Sequence, residues 1–235
     1  MNPYNPYTQH IAGAPARVDS SAFFRKVYAY MAGGLFATGV TATIVASSEV
    51  LVNMILGNRI VFYGLMIAEF IMVLAFSKVV SKLSTPAAAA FFMAYAVLNG
   101  LTLSVIFLVY TASSIGSTFF VTAGTFGALS AYGYATKRDL TGVGNFAMMG
   151  LIGLIIASIV NIFLNSPMIY WLTTFVGVIV FTALTAYDTQ KLKQFAASSS
   201  SPDEQSKVAL QGALMLYLDF INLFLYLLRV LGRRR

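Results

Sequence analysis

No cysteine occurs in the 235 residues, which excludes structural disulfides, thiolate metal sites and cysteine nucleophiles. Charge is scarce as well. Asp, Glu, Lys and Arg make up 10% of the chain, against about 25% in soluble domains. Histidine occurs once, as His10 in the polar N-terminal stretch, where a solvated side chain without a role is expected. The chain also lacks a glycine-rich phosphate loop, a His/Cys metal spacing, and a serine–histidine pair within its apolar segments. What fills it instead is apolar: 58% hydrophobic and 14% aromatic residues, the composition of a polytopic membrane protein whose first partner is the lipid bilayer. The net charge of +7 sits mostly in short loops and chain ends. There it orients the chain in the membrane, and no nucleic-acid partner is expected.

Residues 1–24 are polar and rich in Pro and Asn. They read as a flexible cytoplasmic tail without the apolar core of a cleaved signal peptide. Residues 25–235 read as a single all-α membrane domain. Seven apolar stretches, at about 27–48, 60–77, 87–110, 114–134, 145–164, 168–187 and 209–230, each approach the ~20 residues that cross ~30 Å of hydrocarbon. Pro86, Pro167 and Pro202 fall between them, where a missing backbone donor does least harm. Only Thr111–Ser113 separates the third and fourth stretches, so these must form a tight helical hairpin. Glycines such as Gly34, Gly127 and Gly150 read as close helix packing.

Lysine and arginine set the orientation. Arg17, Arg25, Lys26, Lys78, Lys82, Lys137, Arg138, Lys191, Lys193 and Lys207 fall in the tail and in every second loop; the alternate loops hold only Arg59. The positive-inside rule then makes the N-terminus cytoplasmic, and seven crossings carry the C-terminus to the periplasmic side. Arg229 and Arg233–Arg235 run against that outcome.

Three acids lie in apolar stretches rather than in loops: Glu69 in the second, Asp188 at the end of the sixth, and Asp219 deep in the seventh. A charged carboxylate at the bilayer centre costs about 2.5–3.5 kcal/mol on insertion scales, and intramembrane acids commonly mark ion or proton pathways. On these boundaries Asp219 lies about 13 Å from the cytoplasmic start of its helix, at 1.5 Å per residue. Both aspartates therefore fall toward the cytoplasmic side, although spacing alone does not bring them into contact. If they meet, two carboxylates sharing one site cannot both ionise cheaply, and the pair shares a proton. Such a pair senses pH without histidine. Lys78 and Lys191 are the nearest cations by sequence.

The segments AYDTQKLK at 186–193 and LYLDFINLFLYLLR at 216–229, with NGLTLSVIFLVYT at 99–111 and YGYATKRDLTGVGN at 132–145, resemble the Bax inhibitor (TMBIM-like) family, in its bacterial YccA/YbhL-type branch. The resemblance covers roughly residues 20–235. It implies an inner-membrane protein of seven transmembrane helices, with the C-terminal helix central and surrounded by the other six. It also implies a pH-sensitive calcium leak in which Asp188 and Asp219 form a hydrogen-bonded pair. Calcium enters as the transported ion, with no cofactor. It wants six to eight oxygens, so the two aspartates, Asn222 one turn away, carbonyls and water would make a transient site. Glu69 matches an acid seen in the second helix of other members. Where some relatives carry arginine near the pair, this chain has Lys78 and Lys82. The resemblance further implies a link to the ATP-dependent membrane protease FtsH, a modulator role that would use tail and loops and neither aspartate. Tyr187–Asp188 also fits half of an intramembrane aspartyl protease, but the Gly-x-Gly-Asp of those enzymes is here Leu216-Tyr-Leu-Asp219. The expectation is a protein that is not an enzyme.

Overall fold

The computed structural model describes residues 20–198 and 201–235; His10 and most of the polar tail lie outside the described residues. Among those, nine α-helices follow one another: α1 (Ser20–Ala46), α2 (Glu49–Ile55), α3 (Arg59–Val79), α4 (Thr85–Leu103), α5 (Val105–Val109), α6 (Ala112–Ala135), α7 (Thr141–Leu164), α8 (Pro167–Ser198) and α9 (Pro202–Leu231). A single antiparallel bridge, Tyr110 with Arg234, is the only extended pairing among them. Six helical stretches are long and apolar enough to cross a membrane: α1, α3, α4 with α5, α7, α8 and α9. The helix α6 is not among them. Eleven of its 24 residues are serine, threonine or glycine, which dilutes its hydropathy without shortening it.

The helix starts follow from local chemistry. Ser48, Asn58, Ser84, Thr111 and Ser201 each accept a backbone N–H with the side chain at the N-cap, satisfying donors that a helix leaves orphaned. Pro86 and Pro202 stand in the first turns of α4 and α9, where no donor is needed. Asn165 ends α7 in the left-handed conformation, at φ 48°.

Several boundaries differ from the sequence expectation. Helix α1 begins at Ser20, inside the stretch that composition marks as tail, because Phe23 and Phe24 are buried in the core. The short α2 occupies what hydropathy reads as a loop. The helix α8 runs eleven residues past 187, so Asp188 lies well inside it and not at its end.

Helix α9 packs against α1, α4, α6 and α8, while α3 packs mainly on α4 and α7 on α8. No residue of α9 between Ala209 and Phe224 is exposed. By contrast α3 buries only Phe76. The main core cluster joins Phe23, Val27, Phe92, Ala96, Leu216 and Tyr217; a smaller one joins α7, α8 and Leu223.

Two contact sets fix the ends of α6 and α9. Near one end, Thr85 donates to Asp203 at 2.8 Å, Lys26 to Ser206 at 3.1 Å, and Phe24 meets Tyr134 edge to face. Near the other, Thr111 N–H donates to the Arg233 carbonyl, Arg235 N–H to the Val109 carbonyl, and Arg233 N–H to the Ser114 hydroxyl. Helix α6 thus runs from the C-terminal end of α9 to the N-terminal end of α1.

Candidate functional site

The site lies where α8 and α9 cross closely. Two glycines permit that approach. A Cβ on Gly177 of α8 would meet the Tyr226 ring of α9 at 2.6 Å, and one on Gly212 of α9 would meet Leu192 of α8 at 2.6 Å. These contacts give antiparallel helices in a register that brings Asp188 and Asp219 within about a turn of the same level. Each carboxyl is then near enough to act on the charge of the other.

Both are buried, with Asp188 8% and Asp219 5% exposed. Asp219 Oδ2 has no partner. A buried polar atom normally finds one, and an orphan calls for a reason. Lys191 is near enough to act on the charge of Asp188; its ammonium lies 5.8 Å from the Tyr187 ring and 5.7 Å from the Phe195 ring. Beside Asp188, the Thr189 hydroxyl donates to the Thr185 carbonyl at 2.8 Å and reaches Ser130 of α6 at 3.4 Å. Tyr28 of α1 joins the same hydroxyl cluster. One helical turn from each acid, toward the Ser198 end of α8, a cavity of about 310 Å³ is lined by Ser77, Leu192, Gln211, Met215 and Leu218.

The other residues singled out from sequence lie elsewhere. Glu69 accepts a hydrogen bond from Thr102 at 2.8 Å, and its charge acts on Tyr95 and Tyr217. Asn222 donates to the Leu218 carbonyl of its own helix at 2.8 Å. Lys78 is exposed on α3. Three or more acids, histidines or cysteines converge nowhere among the described residues, so a cation at this site would meet at most two carboxylates.

Sequence reasoning missed a second polar cluster. The Tyr217 hydroxyl lies 2.6 Å from that of Thr38, which donates to the Ala96 carbonyl at 2.8 Å. Asn99 donates to Tyr95 at 3.2 Å while its Oδ1 stays buried without a partner. The signal was present: Asn99 is a lone amide inside an apolar stretch, and such side chains usually tie helices together.

Residues 20–235 match the family model described as inhibitor of apoptosis-promoting Bax1. The chain is 49% identical over 221 residues to the inner membrane protein YbhL of Escherichia coli strain K12, spanning 93% of this chain and 94% of that protein. It is 43% identical over 214 residues to a Borreliella burgdorferi protein, with 91% and 92% covered. A Streptococcus pyogenes membrane protein is 36% identical over 236 residues, with 99% of each chain covered.

Proposed function

The chain belongs to the Bax inhibitor family, and from that premise we propose that it is a multi-pass inner-membrane protein conducting a pH-sensitive cation leak, with calcium as the ion and Asp188 and Asp219 as the gate. One observation carries this reading: two buried carboxyls, on α8 and α9, each near enough to act on the other's charge, with one oxygen of Asp219 left without a partner. Holding a proton, the pair ties the two helices together. Losing it, the carboxylates repel and leave a negative site that attracts cations. Two carboxylates supply only part of the oxygen shell that calcium wants, which suits a leak, where binding must be weak enough to release. The cavity beneath the pair is the inner vestibule. In this reading α6 is the seventh span, α9 is the central helix, the N-terminus is cytoplasmic and the C-terminus periplasmic.

Proteolysis is disfavoured by packing. Where an intramembrane aspartyl protease has glycines to admit substrate backbone, this chain has Leu216, fully buried, and Leu218, half-buried. A role as a modulator of a membrane protease needs neither aspartate, so one substitution separates it from the leak. Calcium flux into proteoliposomes is to be measured across pH for the natural chain and Asp219→Asn. The substitution should lower flux at least about tenfold, equivalent to 1.4 kcal/mol of cation stabilisation, and abolish its pH dependence. Unchanged flux and pH response would falsify the gate.

A further inference from the structure

Between α1 and α6 the protein leaves a continuous lateral groove floored by α9. Its inner part encloses about 820 Å³ and its outer part about 660 Å³. Ala32, Leu35 and Phe220 line both parts, so the two are one trough. Nothing in the packing requires the trough to be deep. A Cβ on Gly39, Gly116 or Gly127, all of which line it, would meet no atom within 4 Å. Side chains could occupy this space at no steric cost, yet the sequence leaves it open.

Its polarity is one-sided. At the end near Ser20, Arg25, Tyr28, Ser130 and Tyr134 line the inner part, and the Lys193 ammonium reaches the Tyr134 carbonyl at 2.9 Å. Arg25 has no ion-pair partner among the described residues. Beyond Met31 the walls hold no charged side chain, and the outer part is lined by residues such as Phe36, Ile44, Phe107 and Phe120. A basic, hydroxyl-bearing mouth at the interface over a long apolar trough has the pattern of an amphiphile standing with its head in the leaflet beside Arg25.

We propose that the groove between α1 and α6 is a binding site for one anionic phospholipid, its phosphate at Arg25 and one acyl chain along Leu35, Phe126 and Phe220. In a bilayer an unfilled trough forfeits dispersion contacts along both walls, and a flexible acyl chain fits an irregular one. A partner helix fits less well. Ala123, Gly127 and Ala131 do stand four apart on α6 along the inner part, as small residues do in close helix pairs, but an apolar helix laid there would leave the Arg25 guanidinium at the mouth without a counter-charge. The groove shares Tyr28 and Ser130 with the hydroxyl cluster beside Asp188, but the proposal does not rest on the aspartate gate.

Native mass spectrometry of the full chain, extracted from nanodiscs of mixed phosphatidylglycerol and phosphatidylcholine, tests it. The natural chain should retain one phosphatidylglycerol. Gly127→Trp should fill the trough and retain none, whereas Gly124→Trp, whose Cβ also meets nothing but which lies off the groove, should retain the lipid. Arg25→Gln should keep a bound lipid while losing roughly fivefold of its preference for phosphatidylglycerol, the weight of one basic residue near an anionic surface. If Gly127→Trp does not fold, as judged by thermal melting, Ala123→Phe fills the same wall. A folded groove-filling variant that retains lipid as the natural chain does would overturn the proposal. So would a dimer, present in the natural chain and lost in that variant, which would make the groove a self-interface.

Discussion

Two positions apart on α9, Tyr217 and Asp219 point about 200° away from each other around the helix. One residue thus serves the cluster of Thr38 and Tyr95, and the other is near enough to Asp188 to feel its charge. The separation explains why Glu69, which acts on the tyrosines, is not part of the aspartate pair. Outside the apolar spans the electrostatics are simpler. Asp139, in the α6–α7 loop, accepts from the Thr141 hydroxyl at 2.6 Å and the Thr141 N–H at 2.9 Å. These bonds hold its carboxyl below the usual aspartate range. A depressed folded value means that the stabilisation is fully present above the unfolded value of about 3.9 and is lost as pH falls through the folded one. Asp139→Ala should therefore lower the melting temperature modestly at neutral pH. The gap to the natural chain should narrow as pH drops below about 4, when both proteins lack the charge. Thermal melts of the purified protein across pH 3 to 7 read this directly, and a gap that does not change with pH would count against the Asp139–Thr141 bonds as its source.

At the scale of helices, the approach of α8 to α9 depends on which atoms face each glycine. Gly177 faces a ring, all three of its nearest contacts lying on Tyr226 at 2.6–2.7 Å. Gly212 faces the methyl end of Leu192, which can rotate away. Gly177→Ala should thus cost about 1–3 kcal/mol, the range for overpacking, and Gly212→Ala clearly less. Denaturant unfolding in detergent compares the two, and equal effects would contradict this account of the crossing. The same contrast shows what was legible in the sequence. The three prolines, the caps and the short turn before α6 follow from local chemistry, whereas the tight helical hairpin expected there does not form, because α6 packs on α8 and α9 rather than on α4 or α5. So does the singling out of Asp188 and Asp219, because a carboxylate in an apolar stretch is costly wherever it sits. Their approach was not legible, since it depends on helix rotation set by Gly177 and Gly212, two residues that spell only close packing. The length of α8 was missed because AYDTQKLK reads as a polar exit, whereas Leu192 and Ala196 keep one face buried. Asn222 has the spacing expected of it, one turn from Asp219, and its amide N–H donates to the Leu218 carbonyl of its own helix.

For the whole molecule the open question is how many times the chain crosses. The argument turns on α6, whose serines and threonines lower its hydropathy although its two ends contact opposite ends of the helix assembly. Its small polar residues do not forbid burial in a membrane. Thr122 donates to the Thr118 carbonyl at 2.8 Å, so the hydroxyl is satisfied within the helix. Two of the arginines that run against the positive-inside rule, Arg229 and Arg234, have local partners too. Arg229 lies 5.1 Å from the Tyr226 ring and 5.4 Å from the Tyr170 ring, and Arg234 donates to the Tyr170 hydroxyl at 3.1 Å. Aromatic faces and hydroxyls at an interface can hold guanidinium groups there against the bias of the rule. Because the natural chain has no cysteine, single cysteines report sidedness without background. Glu49→Cys, before α3, and Arg235→Cys should react with an impermeant maleimide in intact cells, whereas Lys137→Cys, after α6, should react only once the membrane is opened. If α6 did not cross, Lys137→Cys would label with Glu49→Cys, and every later loop would change sides, carrying Arg235→Cys to the interior. The two readings thus predict opposite outcomes at Lys137→Cys and Arg235→Cys, and labelling of all three positions from outside would refute both.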